Sequence, residues 1–536
     1  MTSQYSQIPV TWNLSADVVV VGFGLAGAVA AIEAHDQGAS VILLEKMSED
    51  GGISRIAGGG ARVAKDWEDA FADLKHACAG RTPDDVLEAL ARGMVEIPDY
   101  MEKLAATDGA KVSLRWEQGN NTYPGPGMDT WGGASYGEIP DYDPVKENPH
   151  SPGYRGGARM MKVMRDNVQA RNIDVRLDTP ARRLIVDGSK QVLGVRAEHQ
   201  GREITVKASK AVVLTCGGFE GDQEMIKHYF EAQPLMVSGF MGNTGDGIRM
   251  AQELGADLWH MWHFHGSYGF LMEPDSRFTS RTFRKSDWLA SEPPGRENTR
   301  RETNSYGAPQ GYGASYVLPW ILLDNNGKRY MNEYPPYLQD IGHRPMAFFD
   351  SLTQSYPRIP SHLLIDDNGF NMDQIALVTV HDPTRQYEMW SDDNLKELQK
   401  GILKQADTIE DVALDLGMRP EILVGAVNRW NDLCDRGLDE DFGRPPASLV
   451  PIEKPPFTYG EVWPMITNTH GGPRHDAHQR VLDVWGEPIS RLYAAGELGG
   501  AFGHLYLSGG NFSECFVGGW NAARHAVTLR EWDTAG

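Results

Sequence analysis

Read for the spacing of apolar and polar residues, the chain opens on a β-branched run, Ala16-Asp17-Val18-Val19-Val20-Val21, that stops at glycines. Four valines in a row predict a strand buried on both faces, as in a parallel sheet. The alanine-rich stretch from Ala28 to Gln37 predicts a helix, and Ser40 to Leu44 a second strand. Val212-Val213-Leu214 and Leu492-Tyr493-Ala494-Ala495 repeat the theme of a short strand running into glycine. From Thr408 to Asp435, Val412, Leu416, Ile422, Ala426 and Trp430 are apolar at helical spacing and predict core-facing helices. Phe512 to Leu529 predicts a last helix. Strands alternating with helices in this way predict an α/β fold.

The turns after these strands carry the chemistry. Gly22-Phe23-Gly24-Leu25-Ala26-Gly27 is GxGxxG between a strand and a helix, and Glu45 closes the next strand 18 positions after Gly27. In that context Gly22 permits a tight turn, and Gly24 lets a pyrophosphate approach the helix start at Leu25 and Ala26. Gly27 lets helix and strand pack closely, and Glu45 would accept hydrogen bonds from a ribose. A second glycine-rich loop, Gly51-Gly52-Ile53-Ser54-Arg55-Ile56-Ala57-Gly58-Gly59-Gly60, follows at once. Two such loops in succession suit a long, folded-over dinucleotide.

Charge and composition narrow the partners. With 73 acidic and 51 basic residues the chain carries a formal charge of −22, which disfavours nucleic acid and anionic membrane surfaces. The four cysteines, Cys78, Cys216, Cys434 and Cys515, lie far apart and offer no disulfide framework or metal motif. Met1 to Leu14 lacks the pattern of a signal peptide, and no stretch is apolar for the length of a membrane span. A cytoplasmic location is expected, with no membrane span and no metal.

These motifs make the chain similar to the FAD-dependent superfamily of fumarate reductases, succinate dehydrogenase flavoprotein subunits and 3-ketosteroid dehydrogenases. The matching pieces are Gly22 to Glu45, Gly51 to Gly60, Thr215 to Glu220, Thr244 to Asp257, Gly327 to Tyr337, His470 to Asp476 and Tyr493 to Ala523. The resemblance implies a Rossmann-like FAD-binding domain of the GR2 type, residues 1–240 plus 455–536, with an inserted α+β catalytic or capping domain at 241–454. It also implies cofactor contacts at Lys46, Gly52, Ile53, Ser54, Ala57, Gly58, Gly59, Gly217, Gly218, Asp246, Gly496, Glu497 and Asn511, beside those already named. Some relatives attach FAD to a histidine in the loop matching Gly51 to Gly60. That loop has none here, so the FAD is expected to be non-covalent.

The family divides by its substrate clamp. Fumarate reductases resemble one another in an arginine shortly after Asn-Glu and a His-x-x-x-Arg before Gly-Gly-Asn. Here a tyrosine follows Asn332-Glu333, and His504-Leu505-Tyr506-Leu507-Ser508 precedes Gly509-Gly510-Asn511. Asn332, Glu333 and Tyr337, with Gly503, His504, Tyr506 and Gly510, are instead similar to the 3-ketosteroid dehydrogenases. Gly471-Gly472-Pro473 and Arg480-Val481-Leu482 follow the same branch, whereas Tyr506-Leu507-Ser508-Gly509 resembles its Δ4-(5α) members. The position of desaturation therefore stays open.

That branch implies removal of an α proton and a β hydride from a cyclic, steroid-like ketone. Tyr337 would be the base, while Tyr506 and the Gly510 N–H would donate to the ketone oxygen. A phenol with a pKa near 10 needs help to act as a base at neutral pH, and Arg329 or Tyr142 would supply it. His504 is expected to pack behind the site. His260, His263 and His265 would share one face of a strand as a pocket wall. The arginine-rich insertion between Glu273 and Leu318 reads as a solvated loop, or as a lid for an anionic substrate tail. An external electron acceptor or donor is required in every case. An ene-reductase of an enone or unsaturated acid uses the same residues in reverse. A flavin-binding electron-transfer subunit without a substrate is the alternative of another class.

Overall fold

The computed structural model describes residues 9, 11–116, 123, 125–147, 155–273, 279–282, 318–335, 337–372, 374–378 and 388–532. Val18 to Val21 lie in the strand Leu14–Val21, which pairs in parallel with Val41–Leu44 on one side and Arg202–Leu214 on the other. Val18 and Val20 pack into one core with the helix Leu25–Asp36 and with Phe516 and Trp520 of the helix Gly510–Val527. Val19 and Val21 pack into a second core on the opposite face, with Leu184 and Val195. With apolar partners on both faces, the strand has no position for a polar side chain between Val18 and Val21.

Across the first sheet the order is Arg480–Leu482, Pro488–Ala494, Arg202–Leu214, Leu14–Val21, Val41–Leu44 and Asp174–Arg176. The hairpin Ala181–Val186 and Val192–His199 joins it through Arg202–Leu214. The strand Pro488–Ala494 is parallel to Arg202–Leu214. Five parallel strands therefore end together, with Val21 beside Leu44 and Leu214, Leu214 beside Ala494, and Leu44 beside Arg176. Ligands of open α/β sheets bind at this carboxyl edge.

The second sheet is built on the long strand Phe457–Thr469, flanked by the antiparallel strands Ser361–Ile365 and Phe264–Leu271. Met236–Val237 also pairs with it, so this sheet takes strands from both sides of positions 240 and 455. Gly60–Ala64, Trp131–Tyr136 and Val112–Arg115 form a small antiparallel sheet after the second glycine loop.

Several elements differ from the sequence reading. The helical stretch 408–435 is two helices, Ile409–Asp415 and Pro420–Arg436, with Gly417 in the left-handed region between them. The three histidines do not share one strand. His260 has φ +55°, which breaks the chain between Leu258–Trp259 and Phe264–Leu271 and sends each ring to a different partner. Among the described residues no helix is long and apolar enough to cross a membrane, and no group of histidine, cysteine and acidic side chains could hold a metal ion. Most of the arginine-rich insertion lies outside the described residues.

Candidate active site

The turns at the carboxyl edge line two adjoining clefts that hold about 770 and 960 Å³ of empty space, open solvent included. Gly22, Gly24, Leu25, Ala26, Glu45, Lys46, Gly52, Gly217 and Asp246 line the first. Ala57, Gly58, Gly59, Tyr337, Tyr506 and Asn511 line the second, and Ile53, Ser54 and Glu497 line both.

Local hydrogen bonds show why these residue types stand here. Both oxygens of Glu45 accept backbone N–H groups at 2.8 Å, from Phe23 and from Met47. Burial pushes its carboxyl upward, and those two bonds and Lys46 oppose the push. The Ser54 hydroxyl accepts the Leu25 N–H at 3.2 Å and ties the second glycine loop to the first helix. Lys46 reaches across to Asp246 at 2.7 Å and to Thr244 at 2.8 Å. A Cβ on Gly27 would stand 1.9 Å from the Gly22 carbonyl oxygen, so Gly27 serves the helix–strand contact and not the cavity. A Cβ on Gly218 would meet Thr469 at 2.0 Å, and one on Gly496 would meet Ala26 at 2.8 Å.

At the seam between the cavities, the Asn243 amide donates to Glu220 at 2.8 Å and to Glu497 at 3.1 Å. Both carboxyls are pushed up by burial, and the Glu220 carboxyl also by the charge of Glu497. Two buried polar atoms of the second cavity, Thr467 Oγ1 and Asn511 Oδ1, have no hydrogen-bond partner among the described residues. A folded-over dinucleotide with a polar ring system fits this lining. The glycine turn would receive its pyrophosphate, Glu45 its adenosine ribose, and Thr467 and Asn511 its ring edge.

Tyr337, Tyr506 and His265 meet in the second cavity. The Tyr337 and Tyr506 ring centroids are 6.3 Å apart, and the His265 ring lies 4.6 Å from Tyr506. The Tyr506 hydroxyl oxygen accepts the Gly509 N–H at 3.1 Å. Tyr337 faces His265 Nε2 at 3.5 Å. The described residues lining this cavity include no arginine or lysine.

Other expected residues are not brought to the cavity. The Gly510 N–H donates to the Leu507 carbonyl at 2.8 Å, closing a turn, so this donor is spent within the loop. Tyr142 donates to the Ala158 carbonyl at 3.3 Å and packs against the first core. Arg329 forms two bonds to Glu333, at 2.8 and 2.7 Å, and one to Asp439 at 2.7 Å, within a different core. Neither side chain is among the described residues that line the cavity. His504 lies behind the site, with its carbonyl accepting from Arg344.

Two residues of the site carry no motif. Tyr123 sits edge-on to Tyr337 at 6.5 Å, and its hydroxyl donates to Asp340 at 2.6 Å. The only sign in the sequence is the position of Asp340 three residues after Tyr337, one helical turn on.

Comparison with known proteins gives the family and the fold. The model of the family described as FAD binding domain matches residues 17–513. The chain is 26% identical to 3-oxosteroid 1-dehydrogenase of Mycobacterium tuberculosis, over 95% of this chain and 98% of that protein. It is also 26% identical to digoxin reductase of Eggerthella lenta, over 98% of this chain and 89% of that protein. Its fold is similar to that of 3-ketosteroid Δ1-dehydrogenase from Sterolibacterium denitrificans, with a TM-score of 0.76 and 22% identity over 96% of this chain and 99% of that one.

Proposed function

The chain belongs to the FAD binding domain family and is an FAD-dependent oxidoreductase, and from that premise we propose that it introduces a C=C bond beside the ketone of a cyclic, steroid-like substrate. The observation that carries this reading is the placing of Tyr337 and Tyr506, 6.3 Å apart, in one cavity with the glycine loop Gly58 to Gly60. In this reading residues 1–240 and 455–536 hold the cofactor without a covalent bond, and 241–454 cap it.

Bound in the two cavities, FAD would supply the acceptor for the β hydride. The remaining work falls to the protein. Tyr506, its hydroxyl oxygen already held by the Gly509 N–H, would donate to the ketone oxygen as charge develops there. Tyr337 would take the α proton. The described lining carries no arginine or lysine to clamp carboxylates, which favours a neutral ketone over an unsaturated dicarboxylate.

The test is an anaerobic titration of the oxidised holoprotein with saturated cyclic ketones, 3-ketosteroids among them. Bleaching of the flavin band that is lost in Tyr506→Phe supports desaturation. The likeness to digoxin reductase favours a second reading, reduction of an enone by the same residues in reverse. Reoxidation of the dithionite-reduced protein by enones, with no bleaching by saturated ketones, would establish that direction.

A further inference from the structure

We propose that His265 accepts the phenol proton of Tyr337, so that the base of the second cavity is a tyrosine–histidine pair rather than a lone phenolate. The inference rests on the reading of Tyr337 as the group that takes the α proton.

The argument starts at Asn468. Its Nδ2 donates to the Thr469 carbonyl at 3.3 Å, which turns its Oδ1 toward His265. That oxygen lies 3.1 Å from His265 Nδ1 and can only accept, so the imidazole hydrogen sits on Nδ1. The lone pair of Nε2 is then directed at the Tyr337 hydroxyl, 3.5 Å away. Catalytic hydrogen bonds are often this long in a ligand-free site and tighten once substrate is bound.

The arrangement is built into the sheet. His265 and Asn468 are directly opposed on the antiparallel strands Phe264–Leu271 and Phe457–Thr469. The register slips between His265 and Gly266, and such a bulge re-aims the side chains beside it. His265 is buried and lines the cavity with Tyr337 and Tyr506.

An isolated phenol with a pKa of about 10 is almost wholly protonated at neutral pH, whereas an imidazole near 6.5 is mostly able to accept. The proton step balances within the pair and the substrate. The α C–H bond breaks and its proton forms a new O–H bond on Tyr337. The former Tyr337 proton forms an N–H bond on His265 Nε2. The electron pair of the C–H bond passes into the enolate, whose oxygen Tyr506 holds. An imidazolium and an enolate result, with no change in net charge.

Other titrating groups stand close enough to affect a pH profile. Tyr506 and Tyr337 share the cavity, Glu497 lies in its lining, and His343 is bonded to the Gly266 carbonyl. His470 packs 5.4 Å from Tyr506, and Asp340 and Arg344 lie behind that ring system. The assignment therefore needs variants at both ends of the His265 pair.

The experiment is the pH dependence of substrate-driven flavin reduction, followed by rapid mixing, in wild type, His265→Gln and Asn468→Asp holoproteins. Wild type is expected to lose rate on the acidic side, where a protonated His265 can no longer accept the phenol proton. His265→Gln should slow the step by about 10²-fold or more, abolish that limb and leave KM nearly unchanged. Asn468→Asp should move the limb to higher pH, because a carboxylate on the Nδ1 side favours imidazolium. An acidic limb unchanged in both variants, or a loss under threefold in His265→Gln, overturns the inference while leaving Tyr337 as base. ¹⁵N-histidine NMR of the holoprotein gives an independent readout: the Nδ1–H tautomer at His265 is expected, and the Nε2–H tautomer overturns it. If no ketone or enone exchanges electrons with wild type, the reading of the site fails first, and that result is distinct from either outcome above.

Discussion

The carboxylate of Asp340 accepts the hydroxyl of Tyr123 at 2.6 Å, and no part of Asp340 is exposed to solvent. The same oxygen accepts the Tyr506 N–H at 3.0 Å. One carboxylate, a turn after Tyr337, thus ties Tyr123 to the loop that carries Tyr506. Burial and the Asp340 charge hold the Tyr123 phenol well above the usual tyrosine range, so it remains a donor throughout the working pH. The other Asp340 oxygen has no hydrogen bond among the described residues and stands 3.8 Å from His263 Nε2.

Tyr123→Phe should therefore destabilise the protein by about 1–3 kcal/mol, because it removes a charge-assisted donor from a buried carboxylate. Urea denaturation monitored by tryptophan fluorescence measures it. A change below about 0.5 kcal/mol would show that the Tyr506 N–H alone satisfies Asp340.

The last two glycines of the first turn should separate folding from cofactor binding. An added Cβ on Gly24 meets only Ser54 at 3.6 Å and the Gly51 carbonyl at 3.9 Å, ordinary contacts, and faces the first cavity. One on Gly27 meets the Gly22 carbonyl at 1.9 Å. Gly24→Ala apoprotein is expected to melt near wild type yet bind FAD at least about tenfold more weakly, a loss of about 1.4 kcal/mol. Gly27→Ala is expected to fold poorly whether or not FAD is present. FAD binding by Gly24→Ala at wild-type strength would mean that the pyrophosphate does not cross this turn.

The parts of this site that were legible in the sequence are those imposed by local backbone. Strands with two buried faces must be apolar throughout, and a turn that approaches a phosphate must be glycine. Val18 to Val21, Gly22 to Gly27 and Glu45 could therefore be read in place. Tyr506 was legible because it precedes the glycines of the last helix. Tyr142 was misleading, since a tyrosine beside aspartates looks the same whether it faces a cavity or caps a carbonyl. The histidines were misread because only His263 and His265 are two apart, while His260 is three from His263 and its positive φ ends the strand before either. The pairing of His265 with Asn468, 203 residues apart, depends on sheet register and leaves no local trace.

Arg329 was expected to support Tyr337 and instead belongs to a buried ion cluster. Glu333, wholly buried, accepts from Arg329 twice and from Arg444 at 3.3 Å, and also accepts the Leu322 N–H at 3.2 Å. Glu333→Gln would leave the Arg329 guanidinium paired with Asp439, and would strip the Arg444 guanidinium of its carboxylate, leaving it on the carbonyls of Leu318, Trp320 and Ser448. The expected loss is about 3–5 kcal/mol of stability, read by chemical denaturation. The flavin reduction rate of the fraction that stays folded should change little. A large rate defect at wild-type stability would place this cluster in catalysis after all.

The last prediction concerns pH. Glu514 lies in the C-terminal helix, fully inside the protein, where its carboxyl accepts the Ala501 N–H and where burial pushes it from 4.5 up to about 8. Between those values the folded protein keeps a proton that the unfolded chain has released, so stability falls as pH rises from 4.5 to about 8 and levels off beyond. Glu514→Gln keeps the acceptor but cannot ionise. Its amide adds a buried donor facing the place where Oε2 now has no partner, a cost that does not vary with pH. The slope is therefore the test, and subtracting wild type cancels the similar contributions of Glu220 and Glu497. Relative to wild type, the variant should gain on the order of 3–5 kcal/mol between pH 5 and pH 8.5. Denaturant unfolding of the two apoproteins at a series of pH values measures the difference. A flat difference would mean that water or a structural opening reaches Glu514 and relieves its burial.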